Sequence, residues 1–399
     1  MSLISPHDFV FKSTDGIIDF TKASMRLFSR IFIMDSIFEF YPYSEVYFVD
    51  KQGIIIDNIY FVEGMEFDFK LGNEDDGYLE TTVVWNNNNI NECFLTNRVV
   101  GTNAFVLSHA HKQKDKPNSR AWEDTISNIV KDIAKTDWSI TDSTKLFVSD
   151  TEGTTKWYQL NKTSEEFVDR ILVNYAYSKN NPQAPFYSFI NAAGELFFMS
   201  LDDLFAQPPT ASYSFSENEN TWTSYDNVKN FYVEQGGTVV NKQNYKKKIY
   251  RFTGSGSFEN EESKIEEHIY KQQKDKILVK KDLQANMLYP EYFGLYNATK
   301  DKEVFLGKRN SYFVNSCISY RMIIEVFFNP KVISGKTVEL TVDGTKNEGQ
   351  KSQEYSGKWL VIQSEHHMDE RGMPFSKLTL VKSGISVDND HPLINDFVG

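Results

Sequence analysis

The chain has 399 residues and a mass of 46.2 kDa, room for roughly two to four domains that each bury a core. Its 43 Lys plus Arg against 55 Asp plus Glu give a formal net charge of -12, which excludes sequence-independent phosphate binding as its main activity. The two cysteines, Cys93 and Cys317, form no CxxC pair, so a zinc ribbon, a redox motif and a disulfide framework lack their ligands, and a reducing site of folding is expected. Aromatic residues reach 15%, with 31 Phe and 21 Tyr, which suits half-buried strands and protein interfaces better than helical bundles.

Residues 1–15 lack the basic and apolar blocks of a signal peptide, and the most apolar stretch, 27–43, is broken by Arg30, Asp35 and Glu39, so no membrane span is expected. From 36 to 111 short β-type runs alternate with turn signals. In 64–72 (GMEFDFKLG), Phe67, Phe69 and Leu71 alternate with Glu66, Asp68 and Lys70, the period of a strand with one wet face. Five or six such strands, by the spacing of their turns, predict a small β-barrel. Beyond the polar break 112–119 the period changes: Trp122, Ile126, Ile129, Val130 and Ile133 fall at helical spacing, with Ser119 and Asp124 near the start. Phe167, Ile171, Leu172 and Tyr175 mark a second helix capped by 163–166, and 186–199 reads as a hairpin turning at 191–194.

The expected organisation is β-rich α+β: a first β-barrel domain with an N-terminal extension (1–116), a small α+β domain (117–210) ended by Pro208 and Pro209, a polar β-containing connecting domain (211–294), a second β-barrel domain (295–388) and a C-terminal tail (389–399). The two barrels are linked by an internal repeat. Residues 64–72 and 335–344 (GKTVELTVDG) both read glycine, two residues, apolar-acidic-apolar-polar-apolar, and close on glycine. Later alternating runs, 104–108 and 377–381, complete each copy. Any amphipathic strand between two glycine turns has this form, so chance similarity and duplication both stand. Under duplication, Gly64, Gly72, Gly335 and Gly344 are the structural turns that aim each barrel's strand pair.

No constellation for catalysis emerges. His109 and His111, placed on one face of a strand, have zinc-ligand spacing but lack a third ligand, and a barrel-edge strand is the simpler reading. His366 and His367, beside Glu365 and Asp369, point to opposite faces of a strand and cannot share a metal. Asp202 and Asp203 read as a helix start, and 253–257 (TGSGS) lacks the Lys-Ser/Thr of a phosphate loop. Lys246, Lys247 and Lys248 interleave with Tyr245, Tyr250 and Phe252 as single-strand binders require, but Glu259, Glu261 and Glu262 follow and cancel much of the field. No catalytic residue, cofactor or metal is therefore assigned.

Residues 36–42 (SIFEFYP), 64–72, 184–204 (APFYSFINAAGELFFMSLDDL), 355–367 (YSGKWLVIQSEHH) and 375–384 resemble, in order and spacing, the baseplate hub proteins of contractile-tailed bacteriophages, a family that includes the N-terminal half of type VI secretion spike proteins. The resemblance spans 36–388, while 235–285 departs from the pattern. It implies a homotrimer whose two tudor-like barrels per subunit form a pseudo-sixfold ring between the tail tube protein and the central spike protein, around the path of the tape-measure protein and then DNA. It further implies baseplate wedge or other baseplate proteins as partners, no sequence-specific nucleic-acid binding, no membrane insertion, no enzymatic activity, and a place in the virion tail baseplate after assembly in the host cytoplasm. Two alternatives remain at this stage. One is a tail-associated carbohydrate-binding or hydrolytic protein with Trp138, Trp157 and Trp222 as sugar-stacking anchors and Asp202 or Glu365 as acid. The other is a tail-tip protein of a non-contractile tail.

Overall fold

The computed structural model describes residues 8–16, 19, 28–49, 64–74, 76–91, 102–178, 184–215, 226–236, 247–252, 258–263, 287–289, 320–343, 352, 355–369 and 374–382. Six strands come first: β1 (Asp8–Ser13), β2 (Phe28–Ser36), β3 (Tyr43–Val49), β4 (Glu66–Asn73), β5 (Gly77–Asn91) and β6 (Thr102–His109). The central part holds α1 (Ala110–Lys114), β7 (Asn118–Asp124), α2 (Ile126–Thr136), β8 (Leu146–Val148), β9 (Thr155–Lys162), α3 (Ser164–Phe167) running through a π-helical turn at Val168–Leu172 into α4 (Val173–Tyr175), β10 (Phe186–Ile190), β11 (Leu196–Ser200) and α5 (Leu201–Ala206). Strands β12 (Pro209–Phe215), β13 (Val228–Gly236), β14 (Lys247–Phe252), β15 (Phe258–Ser263), β16 (Met287–Tyr289), β17 (Tyr320–Phe327), β18 (Thr337–Val342), β19 (Gly357–Asp369) and β20 (Phe375–Lys382) complete the β-rich α+β chain. No helix among the described residues is long and apolar enough to cross a membrane.

The two ends of the chain repeat one topology. Strands β2 to β6 pair in the order β4-β5-β6-β3-β2, and β13 with β17 to β20 pair in the order β18-β19-β20-β17-β13. Every neighbouring pair in both sets is antiparallel. In each copy a glycine with positive φ, Gly64 at +88° and Gly335 at +84°, precedes by two residues the strand that opens the pattern, β4 or β18. The similarity of 64–72 to 335–344 is thus matched by equivalent positions in the fold, as is that of 104–108 to 377–381, which lie in β6 and β20. The two sets join edge to edge through β2 and β19, so one strand path runs from β1 to β13, with β18 and β12 branching from β19.

Burial follows the alternation. Phe67, Phe69 and Leu71 of β4 pack with Phe11, Ile31, Leu79 and Val83, and the rings of Phe11 and Phe67 stack at 4.9 Å. Val338, Leu340 and Val342 of β18 pack with Met322, Ile324, Trp359 and Leu380 in the corresponding core at the other end. Between them α2 buries Ile126, Ile129, Val130 and Ile133 against Phe167, Leu172, Phe186 and Phe198.

One local reading needs correction. Trp122 belongs to β7, not to a helix, and Ser119 and Asp124 lie in that strand; Thr125 caps α2, its side chain accepting the Asn128 N–H. The four-residue step from Trp122 to Ile126 mimics helical spacing, but Trp122 faces Trp157 across the ribbon β7-β9 and stacks on Phe167 at 5.5 Å. Pro209 opens β12, which runs parallel to β18. A first-residue or edge position is where a strand tolerates the missing N–H.

Two glycines have steric reasons. At Gly72 (φ +152°) a Cβ would lie 2.2 Å from the Gly77 carbonyl oxygen, and at Gly335 it would lie 2.6 Å from Cζ of Phe189 and 3.2 Å from Cε1 of Phe197. Gly344 lies outside the described residues. Gly72→Val and Gly335→Val should each lower unfolding stability by at least about 2 kcal/mol in urea titrations, the sum of backbone strain and overpacking. A loss below about 0.5 kcal/mol, the range of a plain surface change, would contradict the turn geometry.

Candidate functional site

The seam between the two ends is built on a buried carboxylate. β2 and β19 pair from Gln363 opposite Ser36 to Asp369 opposite Arg30, and Asp35, 1% exposed, sits inside this ladder. Its carboxylate accepts the Ser364 hydroxyl from β19, the Ala192 N–H at 2.8 Å from the β10-β11 turn, and the Ser334 N–H at 3.1 Å from the segment leading to β18. Four stretches of chain meet on one side chain. Burial pushes the Asp35 pKa up, and these hydrogen bonds to the charged form oppose the shift. His366 continues the network: Nε2 lies 3.1 Å from the Ser364 hydroxyl and Nδ1 2.8 Å from the Ser376 hydroxyl. Because the Ser364 proton is given to Asp35, the assignment that satisfies all groups has Nε2–H donating to Ser364 and Nδ1 accepting from Ser376. Burial, reinforced by neighbouring His367, holds the His366 pKa down at about 3.

The outward face of the same seam is half-exposed and rich in aromatic side chains. The rings of Tyr43, Phe32, His367 and Phe375 run across β3, β2, β19 and β20 with successive centroid separations of 6.2, 5.0 and 4.9 Å. Arg30 lies 4.2 Å from the Tyr47 ring centroid. Glu365 faces Lys377 at 3.7 Å and His367 at 3.6 Å and accepts from Gln363 at 3.0 Å, while Glu45 accepts from the hydroxyls of Tyr43 and Tyr47. The His367 hydrogen bond leads the causes that hold the Glu365 carboxyl below its usual range. A face of aromatic and Arg side chains whose carboxylates already have partners has the chemistry of a protein contact surface. Sequence reasoning had singled out only its Glu365 and histidine positions; the residues of β2 and β3 join them through long-range pairing.

His109 and His111 are not on one strand. β6 ends at His109, whose Nδ1 accepts the His111 N–H at the start of α1, and the two rings stack at 4.7 Å. His109 Nε2 bonds Thr81 at 2.8 Å and His111 Nδ1 bonds the Trp138 carbonyl at 2.6 Å, so three of the four ring nitrogens are engaged within the protein. Burial lowers both pKa values, that of His111 to about 4. The pair lines a cleft of about 670 Å³ with Lys70, Lys114, Lys145 and Gly194. Among the described residues no group of three or more His, Cys, Asp or Glu side chains is placed to hold a metal.

Trp138 is fully buried and donates from Nε1 to the Tyr41 hydroxyl at 3.1 Å, so it cannot stack a sugar. Trp157 packs edge-on to Tyr175 at 5.3 Å, and Trp222 lies outside the described residues. Asp202 and Asp203 occupy the first turn of α5, where Asp203 accepts the Ser149 and Ser200 hydroxyls at 2.5 and 2.7 Å. Lys246 and 253–257 lie outside the described residues. In β14 the register sets Lys248 opposite Glu262 and Arg251 opposite Glu259.

No family model and no curated protein matches the sequence. Among solved structures, the chain has the fold of phage tail proteins. It superposes on a tail protein from Neisseria meningitidis MC58 with a TM-score of 0.56 at 9% identity, covering 96% of this chain and 98% of that one. The 43 kDa tail protein of prophage MuSo2 from Shewanella oneidensis gives a TM-score of 0.53 at 12% identity over 95% and 97% of the two chains. A PdpA-VgrG complex gives 0.50 at 10% identity over 97% of this chain and 67% of that one.

His109, His111 and His366 each stay neutral in the folded protein well below the ordinary histidine pKa. The unfolded chain takes up protons that the native state refuses, so stability falls as pH drops from about 6.5 towards 4, by about 1.4 kcal/mol per pH unit for each histidine. His366→Gln should make the slope of unfolding free energy against pH shallower by one proton between pH 6 and 4.5, whatever it costs at pH 7. An unchanged slope would contradict a buried neutral His366.

Proposed function

We propose that this protein is a structural hub of a phage-type contractile tail: a homotrimer whose six β repeats, two per chain, form a pseudo-sixfold ring that joins the tail tube to the central spike around the channel for tape-measure protein and DNA. The observation that carries this reading is the duplicated strand order, set in a fold shared with phage tail proteins over 95% or more of both chains. Two equivalent units in one chain allow three chains to meet a sixfold tube on one side and a threefold spike on the other. On this reading each five-strand set is a tudor-like barrel, and the units 1–116, 117–210, 211–294 and 295–388, with a tail at 389–399, are the barrel, α+β, connecting and second barrel domains. Gly64, Gly72, Gly335 and Gly344 serve as their structural turns. The protein acts without catalysis, in a virion baseplate assembled in the host cytoplasm, with tube, spike, wedge and tape-measure proteins as partners. The sugar-binding alternative is weakened by the burial of Trp138.

Light scattering on the purified chain, alone and mixed with a candidate spike, tests the reading. A mass about three times the 46.2 kDa of one chain in either sample is expected. A monomer in both would contradict it.

A further inference from the structure

The hairpin turn that reaches Asp35 carries a second polar cluster, which the joint does not use. Asn191 is wholly buried and folds its amide back over its own turn: Oδ1 accepts the Ala193 N–H at 3.1 Å and the Glu195 N–H at 3.0 Å. Its Nδ2 donates to Glu195 Oε2 at 2.8 Å, and the same oxygen meets Lys336 Nζ at 2.9 Å. An amine, a carboxylate and a side-chain amide from two distant parts of the chain thus converge on one oxygen atom.

The surroundings shield this cluster and hold it in place. The Lys336 and Glu195 side chains are only 14% and 19% exposed, and Nζ lies 3.9 Å from the ring centroid of Phe147 and 5.1 Å from that of Phe197. Gly335, lacking a Cβ, lets the chain press against Phe189 and Phe197 just before the lysine. The Gly335 N–H donates to the Val361 carbonyl and the Val361 N–H to the Lys336 carbonyl, each at 2.9 Å, which ties this approach to β19. An ordinary surface ion pair has neither the aromatic cover nor the buried amide.

We infer that Lys336 and Asn191 join spontaneously in a side-chain amide bond, with Glu195 as the acid-base group. Glu195 takes a proton from the Lys336 ammonium, and the freed amine attacks Cγ of Asn191 once its flexible stem brings Nζ within about 3.5 Å. The two N–H groups on Oδ1 already point at the oxygen where negative charge gathers in the tetrahedral adduct. Collapse of the adduct breaks the Cγ–Nδ2 bond. The departing nitrogen leaves as ammonium, taking the proton held by Glu195 and one from the attacking amine, so no oxidant, metal or further reactant is consumed. The event happens once per chain and does not depend on the hub reading. It fastens the β10-β11 turn to the segment before β18, beside the Ala192 and Ser334 donors of Asp35.

Intact-mass spectrometry on the purified, denatured chain tests the bond. A mass about 17 Da below that of the sequence, the loss of one ammonia, is expected, together with a branched tryptic peptide joining Asn191 to Lys336. Lys336→Arg, which keeps the positive charge, and Glu195→Gln, which cannot take the proton, should both show their full sequence masses. A full mass in the unaltered chain after days at neutral pH overturns the proposal. A loss that persists in Lys336→Arg marks a succinimide at Asn191 and overturns it equally. A loss that persists only in Glu195→Gln overturns the part given to Glu195.

Discussion

A carboxylate buried where strands from opposite ends of the chain meet imposes the strictest constraint on this structure. Asp35 cannot keep its charge away from water unless Ser364, Ala192 and Ser334 all deliver their donors to it. Removing any one segment would leave the others with an unsatisfied group in the interior. The arrangement therefore fixes the position of β2 against β19 and clamps the central hairpin over that joint. A one-residue slip of the ladder would turn Asp35 to the wet face and expose the apolar Ile31 and Ile33. The polar centre thus specifies the register that hydrophobic burial alone would hold less strictly.

Around this joint the molecule reads as one design used twice. Two five-strand sets of identical order flank a central α+β body, and the joint couples the first strand of one set to the projecting fourth strand of the other. Such coupling joins the two sets in one hydrogen-bonded sheet. The titratable groups near the joint and in the central body are bonded within the protein. His109 and His366 are satisfied core histidines with their ring nitrogens engaged inside the protein, and the Asp203 carboxylate holds hydroxyls of its own domain.

Much of this was legible in the sequence where the signal is local. The alternation in 64–72 located β4, the turn at 191–194 located the β10-β11 hairpin, and the glycine-framed similarity of 64–72 to 335–344 marked equivalent strands nearly three hundred residues apart. The opposite faces of His366 and His367 also followed from strand period, one buried on Ser364 and Ser376, the other stacked on Phe375. What stayed hidden depends on long-range contact. Nothing near Asp35 announces a partner 329 residues away, and Trp122 looks helical until Trp157 is seen across from it. The change from strand to helix between His109 and His111 was hidden for the same reason: the Thr81 and Trp138 groups that hold the two rings come from elsewhere in the chain.

The central claim is that two copies of one β unit per chain assemble into a ring with six similar positions. Electron microscopy of the isolated assembly, averaged without imposed symmetry, tests it most directly. The account predicts a threefold particle with six similar lobes around an open channel. A twofold or unclosed particle, or three lobes without their intervening counterparts, would contradict it.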